Sequence, residues 1–227
     1  MSMIVKSEGN SIIPQLEPGV YTGIASAIID LGIQENSMFG NKQRKAIIIW
    51  NIVGETVTVN DEELPRVMSK EYTMSLGEKS TLRKDLEAWR GKPFTTEELE
   101  GFNLENILNT ACQLQLNQQE KNKRTYVNIA SIMAIPKGTT VEKLESTYVF
   151  DTYDRNTWDN YEKIPNWIKE KIKKALNIAE TQLDLYIKDY EEMQKEQEGK
   201  KEENTKTISK VTQKDEEEII PEDDLPF

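Results

Sequence analysis

Short apolar runs separated by polar turns are the main pattern over residues 18–138. A run rich in β-branched residues covers 20–33 after a Pro-Gly turn, and the Ile-rich run RKAIIIWNIV covers 44–53. Residues 70–76 alternate polar and apolar side chains with the two-residue period of a half-buried strand. Runs of this length and composition favour strands over helices. The pattern therefore predicts three successive strands.

A helix and two further strands are predicted next. Leu82, Leu86 and Trp89 have the i, i+4, i+7 spacing of one helix face. They follow a possible N-cap at Ser80 or Thr81, and Gly91 and Pro93 end the helix. Two stretches of alternating residues follow the helix, at 107–116 and 125–135. They predict the last two strands.

The predicted order of elements is β-β-β-α-β-β, with the helix between strands three and four. This order is typical of the oligonucleotide/oligosaccharide-binding (OB) barrel, which binds its ligands on strands two and three and on loops 1-2 and 4-5. We therefore expect a domain that is mainly β with α elements, built on a five-stranded OB-fold barrel.

The region that follows the barrel has a different composition. Residues 148–161, YVFDTYDRNTWDNY, carry five aromatic residues among acids that would repel phosphates, so this segment is expected to pack against the barrel. From Asn166 apolar residues recur at helical spacing, which predicts one long helix that docks on the domain or pairs with a second copy. Residues 196–214 have mixed charge and no aromatic residue, which is typical of a flexible linker.

These patterns divide the chain into five parts. They are a polar leader (1–17), the OB-fold domain (18–138), the aromatic-rich segment with the long helix (139–195), the linker (196–214) and an acidic tip (215–227).

Charge is distributed unevenly along the chain. The net charge is −11, from 29 Lys and Arg against 40 Asp and Glu, and the tip DEEEIIPEDDLPF holds seven of those acids. Because the tip alone contributes −7, the rest of the chain is close to neutral. The acidic composition therefore does not exclude a nucleic-acid partner.

Composition argues against most enzymatic sites. The chain has no histidine, which removes Ser-His-Asp and Cys-His catalysis and most zinc sites. Asp61, Glu62 and Glu63 are the most obvious acid cluster for Mg²⁺, but their setting favours a surface turn. We therefore expect a non-enzymatic protein without metal or cofactor, and a magnesium-dependent nuclease or primase-like enzyme is a distant alternative.

Cysteine content and hydropathy bear on localisation. A single Cys112 cannot form an internal disulfide, and no secretory signal or run of transmembrane length is found. The expected location is the cytoplasm, without a membrane partner.

Both loops that bind ligands in an OB barrel are basic here. Residues 18–137 hold fourteen Lys and Arg against fifteen acids, so the placement of these cations is more informative than their number. The predicted DNA-binding cations are Lys42, Arg44 and Lys45 near loop 1-2, and Lys121, Lys123 and Arg124 near loop 4-5.

Single-strand binders also need aromatic side chains on which bases stack. The candidates are Phe39 in loop 1-2, Trp50 in strand two, Tyr72 in strand three and Tyr126 at the start of strand five. For Trp50 two interpretations stay open: Ile47, Ile49 and Val53 define an apparent core face and place Trp50 outside, or Trp50 is itself a core residue. Tyr72 alternates with apolar residues and fits the core better, and Tyr126 fits either role.

The ending PEDDLPF resembles the acidic tip of bacterial single-stranded DNA-binding (SSB) proteins. The resemblance implies that this tip docks replication, recombination and repair enzymes, with the terminal aromatic ring in an apolar pocket of the partner. The docking residues that it implies are Asp223, Asp224, Leu225, Pro226 and Phe227.

The domain also carries a resemblance. The stretches PGVYTGI and KAIIIWNI, within residues 18–175, are similar to those of the OB-fold DNA-binding proteins of bacteriophages and mobile elements. The chain differs from common bacterial SSB proteins because it lacks a Gly/Gln-rich linker and adds the predicted long helix.

The expected function is sequence-independent single-stranded DNA binding in phage-type replication and recombination, with a possible homo-oligomer. DNA or RNA preference stays open. The alternative is an OB-fold adaptor that competes for the partners of SSB tips without binding DNA.

Overall fold

The computed structural model describes residues 15–35, 40–59, 62–121 and 124–197. The chain divides into two compact units, residues 1–179 and residues 180–227. In the second unit the described residues include one helix, 182–197.

The described residues of the first unit form six strands and three α-helices. The strands are β1 (Gly19–Glu35), β2 (Lys42–Val59), β3 (Glu62–Thr73), β4 (Ala111–Lys121), β5 (Arg124–Met133) and β6 (Tyr148–Phe150). The helices are α1 (Thr81–Arg90), α2 (Thr96–Glu100) and α3 (Asn166–Lys173), with 3-10 helices at Leu104–Ile107 and Arg155–Lys163.

The first five strands form a curled antiparallel sheet in the order β3-β2-β1-β4-β5. This sheet is a half-barrel, which is compatible with an OB-like fold. The prediction of a mainly β domain is confirmed at this level, although the strands are longer than predicted. The predicted helix between strands three and four is α1, but α2 and a 3-10 helix also lie there. Glu62 and Glu63, expected in a surface turn, begin β3, and Asp61 lies outside the described residues.

Strand β1 pairs along both edges. One edge pairs with β2 along most of its length, whereas the other pairs first with β4 and then, over residues 27–29, with β6 in parallel. The β1–β2 register shifts between Ala25 and Ala27 and between Asp30 and Gly32. Such bulges bend a strand, so β1 can leave β4 and accept β6, a strand that the sequence did not predict.

Helix α1 packs on the inner face of the half-barrel. Its N-cap is Ser80, whose hydroxyl accepts from the Arg83 N–H, and its C-cap is Gly91, with a left-handed φ of 67°. Both ends and the buried face of the helix were predicted correctly. The residues of α1 that reach the core are Leu82, Leu86 and Trp89.

The other face of the sheet is also buried. Ile29 and Ile47 are almost completely inaccessible, and Lys171 of α3 reaches Glu71, the direct cross-strand neighbour of Ile47. Directly paired residues share a face, so α3 lies on the side opposite α1. Because it is covered on both faces, β2 carries a continuous apolar run rather than an alternating one.

A buried carboxylate connects the sheet to the segment that follows β6. Asp30 accepts from the Gly32 N–H at 3.0 Å, from Arg44 Nη2 at 2.9 Å and from the Thr152 N–H at 3.2 Å. The Thr152 hydroxyl donates to the same carboxylate. Arg44 also donates to Asp151 at 2.8 Å, so two acids hold one cation at this junction.

The prediction of one long helix over 166–195 is wrong. Helix α3 ends at Lys173, and turns cover 174–181. The Leu176 N–H donates to the Ile33 carbonyl at 2.9 Å, and Asn177 Oδ1 accepts from the Ile33 N–H at 2.6 Å. Leu176 and Asn177 thus bond to the end of β1 at positions where a continued helix would have formed its own backbone hydrogen bonds.

We expect Asp30→Ala to lower the free energy of unfolding by about 2–4 kcal/mol, because it leaves Arg44 and the Thr152 N–H without their buried partner. Urea denaturation measures this, with Glu120→Ala as the control for loss of an exposed carboxylate. Equal losses in the two variants would show that the Asp30 contacts do not stabilise the fold.

Candidate nucleic-acid interface

The structure separates the two predicted basic clusters. Strands β1 and β2 are joined at the end of β1, where Glu35 faces Lys42. Strand β4 extends past the start of β1, where Gly19 faces Leu116, and pairs with β5 as far as Lys121. Lys42, Arg44 and Lys45 therefore lie at one end of β1. Lys121 and Arg124 lie at the other end.

At the first end, two of the three predicted cations are bound within the fold. Arg44 pairs with Asp30 and Asp151, and Lys45 Nζ lies 2.8 Å from Glu71. Glu71 also accepts from Lys171. Burial raises the pKa of Glu71, but the bonds from the two lysines outweigh it and hold that pKa below its usual value. These carboxylates neutralise much of the positive charge that the sequence places here.

The third cation, Lys42, is exposed and lines a cleft of about 400 Å³. Arg44 and Tyr153 line the same cleft, with the guanidinium carbon 4.7 Å from the centre of the Tyr153 ring. Tyr153 is 60% exposed. Tyr153 was not among the predicted site residues, because 148–161 was interpreted as one segment that packs against the barrel.

Two predicted stacking residues lie in the core. Trp50 is 0% exposed and packs against Trp89, with ring centroids 6.0 Å apart. Its placement on the outer face is wrong, and so is the core position expected for Val53, which is 47% exposed. Strand β2 is apolar on both faces, so an alternation of polar and apolar residues could not identify the face that points to the core.

Tyr72 is also buried, at 3% exposure. Its hydroxyl donates to Asp85 at 2.8 Å, and burial together with this carboxylate raises its pKa. The ring lies in the hydrophobic core, where it is not accessible to a base.

At the second end, a groove of about 280 Å³ lies between β3 and β5, which approach each other without pairing. Tyr126 lines the groove and is 43% exposed. Gln15 donates to the Thr125 carbonyl at 2.9 Å and, with Leu16, also lines the groove. The remaining lining residues are Arg66, Val67 and Met68 of β3 and Val127 and Asn128 of β5.

The groove lies next to the β4–β5 hairpin. Lys121 and Arg124 are cross-strand partners at the end of that hairpin, two positions from Tyr126. Lys123 lies outside the described residues, as do Phe39 and the tip residues Asp223, Asp224, Leu225, Pro226 and Phe227. At this end the predicted stacking residue Tyr126 is exposed, and it lies close in sequence to the three predicted cations. Arg66 is a groove residue that the sequence analysis missed.

No family model and no curated protein matches the chain. Within the described ranges, no three His, Cys, Asp or Glu residues are grouped as a metal would need. No helix in the described part of the chain combines the length and apolar character needed to cross a bilayer.

The burial of the aromatic residues gives a stability test. We expect Trp50→Ala to cost about 3–5 kcal/mol of unfolding free energy, as is usual for a large core residue. Tyr126→Ala should cost less than about 1 kcal/mol, because that ring is partly in solvent. Urea denaturation of both variants decides the assignment, and similar losses would contradict it.

Proposed function

We propose that this chain is a non-enzymatic protein that binds single-stranded DNA without sequence preference, through an OB-fold barrel. The observation that carries the proposal is the groove between β3 and β5, where Tyr126 is accessible. A half-barrel with this strand order is compatible with a fold that binds oligonucleotides.

Non-specific single-strand binding requires two properties of such a groove. An aromatic ring offers a stacking surface to any base, and cations beside it neutralise the phosphates. Tyr126 is the stacking residue in this proposal, and Lys121, Lys123 and Arg124 are the phosphate contacts. The proposed DNA path therefore follows β3 and the β4–β5 hairpin, because Arg44 and Lys45 of β2 are paired with carboxylates.

The second part of the proposal concerns the acidic tip, residues 215–227. Its resemblance to SSB tips supports a role in recruiting replication, recombination and repair enzymes, as phage-type DNA metabolism would require. Phe227 is the proposed anchor, and the preceding acids are the proposed contacts to a basic partner surface.

An adaptor function is the second candidate, and one observation favours it. Trp50 and Tyr72 are buried, and Arg44 and Lys45 are paired with acids, so four of the ten predicted DNA contacts serve the fold. Under this alternative the barrel binds protein, and the tip competes for enzymes that dock on SSB tips.

Fluorescence anisotropy with labelled oligothymidylate tests the DNA-binding proposal. We expect preference for the single strand over duplex, and an affinity that falls linearly with the logarithm of salt concentration because bound cations release counterions. Tyr126→Ala should weaken binding by about 1–3 kcal/mol.

Tyr153→Ala is the matched control, since Tyr153 is an exposed tyrosine at the other end of β1. Its affinity should equal that of the unmodified chain. Loss of binding in Tyr153→Ala alone would move the site to the Lys42 cleft, and absence of binding at low salt would favour the adaptor.

Two truncations test the tip. Deleting 215–227 removes seven acids, so it should abolish enzyme recruitment and also tighten DNA binding at low salt, where charges are least screened. Deleting Phe227 alone keeps all seven acidic side chains and should abolish recruitment with DNA affinity almost unchanged. Pull-downs and DNA titrations of both truncations measure this, and enzymes retained without Phe227 would exclude it as the anchor.

A further inference from the structure

Strand β4 carries a row of amide side chains on the face of the sheet that points away from the core. Leu114 and Leu116 of this strand belong to the hydrophobic core. Successive side chains of a strand alternate between its two faces, so Gln113, Gln115 and Asn117 lie on the outer one. Gln115 is exposed, and the other two amides are half-buried.

Uncharged residues flank this row on both sides. Val20 and Thr22 of β1 pair directly with residues of the row, and so do Asn128, Ser131 and Met133 of β5. Directly paired residues share a face, so these side chains widen the row into a surface that covers three strands. Val20 is 57% exposed and Met133 is 37% exposed.

The surface continues onto β2 and β3. Asn51 of β2 pairs with Ile24 of β1 and with Val67 of β3, which is 53% exposed. With Asn51 and Val67 it comprises ten residues, all within the described ranges, and none of the ten is charged. We call this surface the neutral face.

The lack of charge on the neutral face is unusual for this chain. Charged residues make up 30% of the sequence, so ten residues of average composition would include about three of them. In the register of the β4–β5 hairpin the next charged pair on this side is Lys121 with Arg124. Depletion of charge together with accessible apolar side chains is the composition that distinguishes the centre of protein–protein interfaces.

We propose that the neutral face is the contact surface between two copies of this chain related by a two-fold axis. Such an interface brings the same patch from both copies together, so the patch must be complementary to itself. A row of amides meets this condition because each amide supplies both a donor and an acceptor.

The central amide has hydrogen-bonding capacity to spare. Gln115 Oε1 accepts from the Ser131 hydroxyl at 3.1 Å, whereas its Nε2 has no partner within the described residues. In the proposed dimer this Nε2 donates to an amide oxygen of the second copy.

Net charge also favours a second copy at this surface. Two chains of net charge −11 repel each other least where they meet through a surface without charge. A strongly charged partner, such as a nucleic acid, would find no opposite charge there. Self-association is measured without DNA, so its outcome is independent of the proposed DNA binding.

Analytical ultracentrifugation of the full chain tests the proposal. We expect a monomer–dimer equilibrium with a dissociation constant of about 1–100 μM, because one sheet face is a small interface. A chain that stays monomeric at concentrations well above that range would overturn the proposal.

Charge variants locate the contact. Gln115→Lys places two like charges opposite each other near the two-fold axis, so it should weaken the dimer at least about tenfold. Gln118→Lys is the matched control, since Gln118 is an exposed residue of the same strand on the other face. If circular dichroism shows that Gln115→Lys does not fold, Val20→Lys replaces it. An unchanged dissociation constant in a folded variant of the neutral face would place the contact elsewhere.

Cross-linking gives a second readout. Cys112 is buried, and burial raises the pKa of its thiol to about 12, so the native thiol should not react. A short bis-maleimide should therefore link two copies of Gln115→Cys and leave Gln118→Cys as a monomer. Equal cross-linking of the two variants would contradict the proposed interface.

Discussion

The buried carboxylate of Asp30 is the contact on which the arrangement of the first unit depends. It lies at a bulge of β1 and accepts bonds from Gly32, from Arg44 of β2 and from Thr152 beyond β6. An unpaired charge at 4% exposure would be strongly unfavourable, so these donors must stay in place together. One side chain thus fixes the bend of β1, the position of β2 and the path of the segment that covers them.

This arrangement also decides which cations can bind ligands. Arg44 balances two acids, and Lys45 shares Glu71 with Lys171 of α3. A guanidinium held by two carboxylates contributes little positive potential to a phosphate nearby. For this reason the proposed DNA path lies where β3 and β5 do not pair.

Helix α1 connects the core with a cavity of about 480 Å³ that lies beside it. Trp89 packs against Trp50 inside the half-barrel, donates to the Ala111 carbonyl at 2.9 Å and also lines the cavity. The same residue therefore serves stability and the shape of the cavity.

The sequence by itself determined the succession of the five main strands along the chain, a helix between the third and fourth, and the ends of that helix, with an N-cap at Ser80 or Thr81 and a stop at Gly91. These features follow from periodicity and capping, which act over a few neighbouring residues. Only the tertiary structure decided that Trp50 faces the core, that Arg44 is paired and that the helix after Asn166 ends at Lys173. Each of these depends on contacts between distant parts of the chain. Thr152 and Arg44, for example, share the carboxylate of Asp30, which lies 122 residues before Thr152. No local pattern encodes such a contact.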